Sequence, residues 1–437
     1  MSAPTLAARQ RAALPGWVTT YYDDPLTIQR GEGRHVIDAD GRRYLDFFGG
    51  ILTTSVGYDV PAISAAVRAQ LDTGVVHTST LYLIESQVRL AERVIRLAGL
   101  PDSVACFVNS GSEANETALL AALCRNGSNH VVTLADGYHG RTIATGAVSS
   151  LPGWQPTPHG PFRVTVAANG RPGPDGRVPA VGDCVADLER RLDQAGGPVA
   201  ALIVEPVQGL AGFHAPPPGL LHRYQQVVAA RGGVLICDEV QTGWGRTGRH
   251  WWGYEAHGVV PDAVTFAKGL GNGFAIGGVV GSRSLLDSLA GRSISTFGGN
   301  PLATTAALAT VDHLLERDLR RCAGEMGARL LDGLRVLARS HDMVGAVRGH
   351  GLMLAVEITD PVTGRPDAAS ARRVLAAARD AGLLVGLGGA AGNVLRLAPP
   401  MTVTAEEADT AIGLLDAALN AAGTRVPFAS HAVPAGA

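Results

Sequence analysis

The chain has 437 residues, too many for one simple core and enough for two domains. Apolar residues make up 46%, an ordinary share for a water-soluble globular fold, and no apolar stretch is long enough to span a bilayer as a helix. A formal net charge of −2, with no basic stripe or polybasic tail, excludes a general field for nucleic acid or an anionic membrane.

Cys106, Cys124, Cys184, Cys237 and Cys322 are odd in number, scattered, and mostly set in apolar runs. They read as reduced, buried thiols of a cytoplasmic protein, without disulfides or a metal cluster. The first sixteen residues carry arginines but no apolar core with a cleavage site, so no signal peptide is expected.

Residues 1–20 read as a loose or partner-hugging arm. Alternating segments flank Ala39-Asp40-Gly41-Arg42-Arg43, and the Asp-Gly step predicts a β-hairpin. Pro61 opens a helical pattern to Leu71. A second helix over 85–97 has the stripe Val88, Leu90, Val94, Ile95 and Leu97. From about residue 100, short apolar strands alternate with helices. Strands are expected at 103–108, 130–134, 163–166, 199–204, 233–237, 263–267 and 277–280. Helices are expected at 111–123, 183–192 and near 217–230. The Gly/Pro-rich stretch 167–182 reads as a surface excursion. This alternation argues a parallel, doubly wound sheet with both faces covered. A long Ala/Leu-rich helical region follows to about 340, as two helices. Strands at 344–348, 352–357 and 394–397 and helices at 368–381 and 404–421 then give an α+β region of different character. The expected division is an arm and hairpin over 1–60, joining a small domain, a large α/β domain over 61–305, the α+β part over 306–421, and a disordered tail over 422–437.

The 37 basic side chains are 36 arginines and one lysine, Lys268. Arginine never loses its proton, whereas a neutral amine can attack a carbonyl. Lys268 follows the apolar run Ala263-Val264-Thr265-Phe266-Ala267 and precedes Gly269-Leu270-Gly271-Asn272-Gly273. That reads as a buried strand ending in a loop that lets a ligand approach closely, where desolvation lowers the amine's pKa. Two more apolar strands end in acids, at Glu205 and Asp238. In open α/β sheets ligands sit beyond the carboxyl ends of the strands. A fourth strand runs into Asn109-Ser110-Gly111-Ser112, which opens a helix; free N–H groups and hydroxyls there suit a phosphate, or simply cap the helix. Tyr138, between Gly137 and His139-Gly140, has room for a planar ligand. Ser295-Thr296-Phe297-Gly298-Gly299 is another hydroxyl-rich loop before a helix. An amine, a carboxylate, a stacking aromatic and a phosphate cradle together are what pyridoxal 5'-phosphate needs.

The chain resembles the class-III aminotransferases of pyridoxal-phosphate fold type I over roughly residues 20–420. The resemblance is carried by Asn109-Ser-Gly-Ser-Glu-Ala-Asn115, Tyr138-His-Gly140, Glu205-Pro-Val-Gln-Gly209, the segment from Asp238 to Gly248, Ala267-Lys-Gly-Leu-Gly271, Thr296-Phe-Gly-Gly-Asn-Pro301 and Leu395-Arg-Leu-Ala-Pro-Pro400. It is strongest to the branch with alanine–glyoxylate and 4-aminobutyrate aminotransferases. It implies an α/β fold with a large, mostly parallel-sheet domain and a smaller α+β domain. It implies that Lys268 holds the cofactor and shuttles a proton. Asp238 pairs with the ring nitrogen, Ser110, Gly111 and Ser112 line the phosphate, Tyr138 and Val240 take the two ring faces, and Gln241 reaches the ring hydroxyl. Thr296 is similar to a threonine that reaches the phosphate of the neighbouring subunit, which implies a homodimer with shared sites. Arg396 resembles a substrate-carboxylate arginine, and Glu205 the glutamate that pairs with it when no second carboxylate is bound. The implied reaction is ping-pong transfer of an amino group from an α- or ω-amino donor to a 2-oxo acid. Another reaction of the same cofactor, as aminomutase, racemase or decarboxylase, is the alternative; a regulator lacking catalysis would need an output module that the chain does not show. Two segments depart from the family pattern: Gly57-Tyr58-Asp59-Val60-Pro61 replaces Gly-His-x-His-Pro, and Trp244 stands where Phe is common. Pocket walls near Ile51–Leu52 and Trp154 are expected to bear on substrate choice.

Overall fold

The structure, a computed structural model, describes residues 5–155, 160–172, 176–289, 291 and 293–423. Its centre is a seven-stranded sheet in the order Ser103–Val108, Gly277–Ser282, Ala263–Phe266, Val234–Asp238, Ala201–Val204, His130–Leu134, Arg163–Ala167. The last five run parallel. Successive side chains of a strand point to opposite faces, and the core divides accordingly. Ala201 and Ile203 pack with Ala114, Ala118 and Leu119 of the helix Gly111–Asn126, while Leu202 and Val204 join Leu188, Leu221 and Tyr224 on the other face. Apolar residues on both sides of every strand are the reason these segments read as continuous runs.

The sheet is mostly parallel, as expected, and one strand runs the other way. Gly277–Ser282 is antiparallel to both neighbours. A parallel connection needs a crossover of a dozen or more residues, roughly a helix's worth. The link from Phe266 to Gly277 is too short for that, so the chain turns back directly. Lys268 stands in this reversal. Gly277–Ser282 also lies close against its neighbours: a Cβ on Gly278 would collide with the Cys106 carbonyl and meet the Phe266 ring at 2.7 Å.

The hairpin forms as expected, between His35–Asp38 and Arg43–Asp46. Its turn is tied by Asp38, whose Oδ1 accepts from the amides of Asp40 (3.0 Å) and Arg42 (2.9 Å) and whose Oδ2 accepts from Tyr44 (2.8 Å). Leu383–Leu384 adds in parallel to Arg43–Asp46, so the N-terminal hairpin shares a sheet with late sequence. A third, antiparallel sheet runs Val344–His350, Met353–Ile358, Val394–Leu397, Gly386–Gly388. The helices Leu319–Ser340, Ala368–Ala381 and Ala405–Gly423 cover it.

Among the elements not anticipated are the helix Leu6–Ala13 and strand Ile28–Glu32 in the arm region, the helix Ile143–Val148, and the short strands Leu383–Leu384 and Gly386–Gly388. Leu6–Ala13 buries no residue, so no apolar period announces it; Thr5 caps it and its Ala, Arg and Gln content favours helix. The final helix reaches Gly423, past the start of the expected tail; residues 424–437 lie outside the described residues.

Gly278→Ala should lower the free energy of unfolding by about 1–3 kcal/mol, because the added methyl forces strand or ring to move. The readout is a lower denaturant midpoint at unchanged slope. Gly182→Ala, where nothing lies within 4 Å of the added Cβ, should leave the midpoint unchanged or slightly raised.

Candidate active site at the strand ends

A cavity of about 190 Å³ opens beyond the carboxyl ends of the sheet. From Val234–Asp238 and Ala263–Phe266 come Asp238 and Lys268, from Ala201–Val204 comes Glu205, and from the loop after His130–Leu134 come Tyr138, His139, Gly140 and Arg141. Ser110, Gly111, Ser112 and Asn115 line it from the start of Gly111–Asn126, with Val240 and Gln241 opposite.

Lys268 has φ 40, in the left-handed region that non-glycine residues rarely adopt. The reversal after Phe266 holds it there and turns the side chain into the cavity. Its amine makes no hydrogen bond or ion pair among the described residues. Burial lowers its pKa to about 8 and the charge of Arg396 adds to this, while the carboxylates of Asp238 and Glu205 oppose it.

Asp238 is 4% exposed and each of its oxygens is satisfied. Oδ2 accepts from Asn115 Nδ2 and from His139 Nδ1, both at 2.8 Å, and Oδ1 accepts from the Val240 amide at 3.1 Å. The donors are themselves held. Thr265 Oγ1 donates to Asn115 Oδ1 (2.6 Å), Asn115 Nδ2 also donates to the His139 carbonyl (2.8 Å), and His139 Nε2 faces Thr133 Oγ1 (3.3 Å). The sequence reading missed this bracket, although Asn115 and His139 both lie inside segments it singled out. It also missed Arg141, which lines the cavity and stacks over the Trp17 ring at 4.9 Å.

Ser110 caps its helix, its Oγ accepting from the Glu113 amide at 3.2 Å. A Cβ on Gly111 would meet Val240 at 3.0 Å, so backbone and Val240 close on each other across the cavity. Gln241 Oε1 is buried with no donor. Tyr138 sits edge-on to Trp154, 5.6 Å between ring centres, and burial raises its pKa.

Two predicted residues stand apart from this cavity lining. Thr296 is exposed and does not line the cavity within one chain. Arg396 is 2% exposed near the cavity, its Nη1 and Nη2 donating to the carbonyls of Gly209 (3.3 Å) and Leu387 (3.2 Å). The expected pair of Glu205 with Arg396 is not formed. Glu205 instead accepts from the amides of Tyr138 (2.9 Å) and Gly209 (2.8 Å), one on each oxygen. Burial, the largest influence, raises its pKa to about 7.

The two departures from the family pattern lie off the cavity. Tyr58 donates to Asp46 Oδ2 at 2.6 Å, under the hairpin. Trp244 is 3% exposed and packs on Trp252 and Phe266, beneath the strand that carries Lys268. Ile51 is half-exposed at φ 65 and Leu52 is buried at φ 62, in a strained turn.

An amine and an anchored carboxylate facing a helix start, at the carboxyl edge of a mostly parallel sheet, define an α/β enzyme that handles a carbonyl group. Comparison with known proteins narrows this. The family model for aminotransferase class-III matches residues 19–419. The chain is 40% identical to the acetylornithine aminotransferase of Mycolicibacterium smegmatis, over 96% of this chain and 99% of that one. It is 34% identical to the mitochondrial alanine–glyoxylate aminotransferase 2 of Homo sapiens, over 92% and 83%. Among solved structures it matches a phospholyase from Arthrobacter in complex with phosphoethanolamine (TM-score 0.87, 31% identity, 95% and 99% covered). It also matches a PLP-bound amine transaminase from an uncultivated Pseudomonas species (TM-score 0.85, 31%, 94% and 98%). The chain belongs to the class-III aminotransferases, enzymes that depend on pyridoxal phosphate.

In cofactor-free protein, acylation of Lys268 should titrate near pH 8, not near 10.5. Asp238→Asn should move the midpoint lower, since it removes a charge that favours the protonated amine. Because the chain has a single lysine, peptide mass spectrometry reads the reaction directly.

Proposed function

We propose that this transaminase runs a ping-pong exchange between an amino acid or ω-amine and a short 2-oxo acid, with Lys268 and Asp238 at its centre. The observation that carries the proposal is the chain's sole lysine presenting an unpartnered amine to the cavity that Asp238 and the Ser110–Ser112 helix start also line. The residues fit pyridoxal phosphate. Gln241 Oε1 is a buried acceptor that lacks a donor and could take one from a ring hydroxyl, and Gly111 leaves space that a Cβ would fill against Val240.

When bound, the cofactor supplies an aldehyde for the amine and a ring that accepts electrons from the substrate carbon. Lys268 would anchor it as a Schiff base and, once released, carry a proton at Nζ. Asp238, kept in place by Asn115 and His139, would hold the proton on the ring nitrogen. Tyr138 and Val240 would bound the two ring faces. Ser110, Gly111 and Ser112 would take the phosphate with N–H groups at a helix start. Arg396 would take the substrate carboxylate, and Glu205, already committed to two amides, would shape the wall beside it.

The same reading includes a large unit over 61–305, a small unit completed by 1–60 and 306–421, a cytoplasmic location and a homodimer. Exposed apolar side chains support the dimer: Leu81, Tyr82, Leu83, Ile294 and Phe297 are all more than half exposed, with Leu83 at 99%. A second copy would cover them and bring its Thr296 to the neighbour's phosphate. No helix among the described residues is long and apolar enough to cross a membrane.

A second reading draws on the phospholyase match: elimination from a phosphorylated amine instead of transamination. Product analysis separates them, because transamination consumes an acceptor and elimination releases phosphate.

Purified protein should absorb as a yellow holoenzyme and change its spectrum when an amino donor is added without acceptor. Borohydride should fix the cofactor on the Lys268 peptide; a label elsewhere overturns the assignment. Lys268→Ala should keep cofactor bound yet lose turnover. Leu83→Asp should shift the protein from dimer to monomer in sedimentation, and activity should fall with it.

A further inference from the structure

Gly209 sits in the loop that follows Ala201–Val204, and both of its peptide groups are engaged. Its amide donates to Glu205 Oε2 at 2.8 Å, and its carbonyl accepts from the Gly212 amide at 3.2 Å and from Arg396 Nη1 at 3.3 Å. The backbone is therefore pinned on both sides. Its φ lies outside the left-handed region, so conformation does not call for a glycine here. Close approach does. A Cβ on Gly209 would collide with Gln241 Cδ and Oε1 and lie 2.6 Å from Nε2, so all three nearest atoms belong to one side-chain amide. Gln241 comes from the loop after Val234–Asp238 and lines the cavity at the strand ends, and its Oε1 is buried without a donor. With the backbone of Gly209 held, an added methyl is accommodated by swinging that amide away. The amide ends a flexible side chain, so the swing costs the fold little, unlike the collision of a methyl at Gly278 with a strand carbonyl.

Resting on the transaminase reading above, we propose that Gly209 is a positioning residue whose bare Cα keeps the Gln241 amide in place to meet the cofactor's ring hydroxyl. Gly209 is not part of the cavity lining and acts through Gln241. The hydroxyl is ortho to the aldehyde carbon, so the hydrogen bond made to it bears on the proton of the nitrogen that Lys268 contributes. The same glycine holds Glu205 through its amide, so one position sets two side chains of the lining. A glycine whose neighbour is a movable amide has its own signature. Substitution changes the surroundings of the cofactor more than it changes stability.

The test compares four holoenzymes: wild type, Gly209→Ala, Gln241→Ala and the double variant. The pH midpoint of the bound cofactor's absorption change should move by about 0.5–1 unit in Gly209→Ala, as for one lost hydrogen bond. Gln241→Ala should shift it in the same direction by a similar amount. The double variant should shift no further, because two changes that act through one group do not add. The Kd for pyridoxal phosphate should follow the same pattern, rising about three- to tenfold in each single variant and no more in the double. The denaturant midpoint of the cofactor-free chain should be nearly unchanged by Gly209→Ala. A lowered denaturant midpoint with a wild-type absorption midpoint makes the glycine merely structural and overturns the proposal, as does a Gly209→Ala chain that fails to fold. A double variant whose shift equals the sum of the singles overturns it too. A wild type whose spectrum responds to no amino donor overturns the transaminase reading, whereas a responsive wild type whose absorption midpoint ignores Gly209→Ala overturns the positioning role alone.

Discussion

The site depends on a carboxylate buried at the end of a central strand. A carboxylate removed from water is tolerated when its lone pairs are met by donors, and otherwise it destabilises the fold around it. Asp238 meets that condition through a side-chain amide, an imidazole and a backbone amide drawn from three separate segments. Each side-chain donor is braced in turn, Asn115 by Thr265 and His139 by Thr133. Both threonines lie on strands of the large sheet. The carboxylate therefore cannot move without disturbing four pieces of chain, and its position relative to Lys268 follows from the spacing of adjacent strands.

The amine obeys the opposite requirement, since it has to remain unsatisfied to react. The chain reverses right after Phe266, which makes the next strand antiparallel and forces Lys268 to positive φ. The sheet's departure from parallel order and the lysine's unusual backbone thus have one cause, a short connection. Burial then favours the neutral amine, while Asp238 and Glu205 limit how far its pKa falls. Glu205 has given both oxygens to amides, and this separates it from Arg396. Hydrogen-bond supply, more than residue type, decides which groups remain available to a ligand.

Much of the architecture was legible in one dimension. Strand ends at Glu205, Asp238 and Lys268 stand out because apolar runs stop abruptly at a charge. Paired helices after Pro301 follow from their apolar period. The elements that escaped are those without a period, such as Leu6–Ala13, which touches no core, and Leu383–Leu384, a two-residue strand recognisable only by its partner. Tyr58 and Trp244 break the family pattern, and the structure puts Tyr58 in a hydrogen bond to Asp46 and Trp244 against Trp252, off the cavity lining.

By itself the sequence determined the chemistry on offer: a single amine, acids at two strand ends, a helix opening on Ser-Gly-Ser, and, through a family motif, an arginine late in the chain. These are local facts, set by composition and by where hydrophobic runs begin and end. Tertiary structure alone decided which groups meet. His139 and Asn115 reach Asp238 from 99 and 123 residues away, and Tyr21 comes beside Leu387 across 366. No local pattern encodes such encounters, because they arise when distant strands stack and buried polar atoms compete for a limited number of partners.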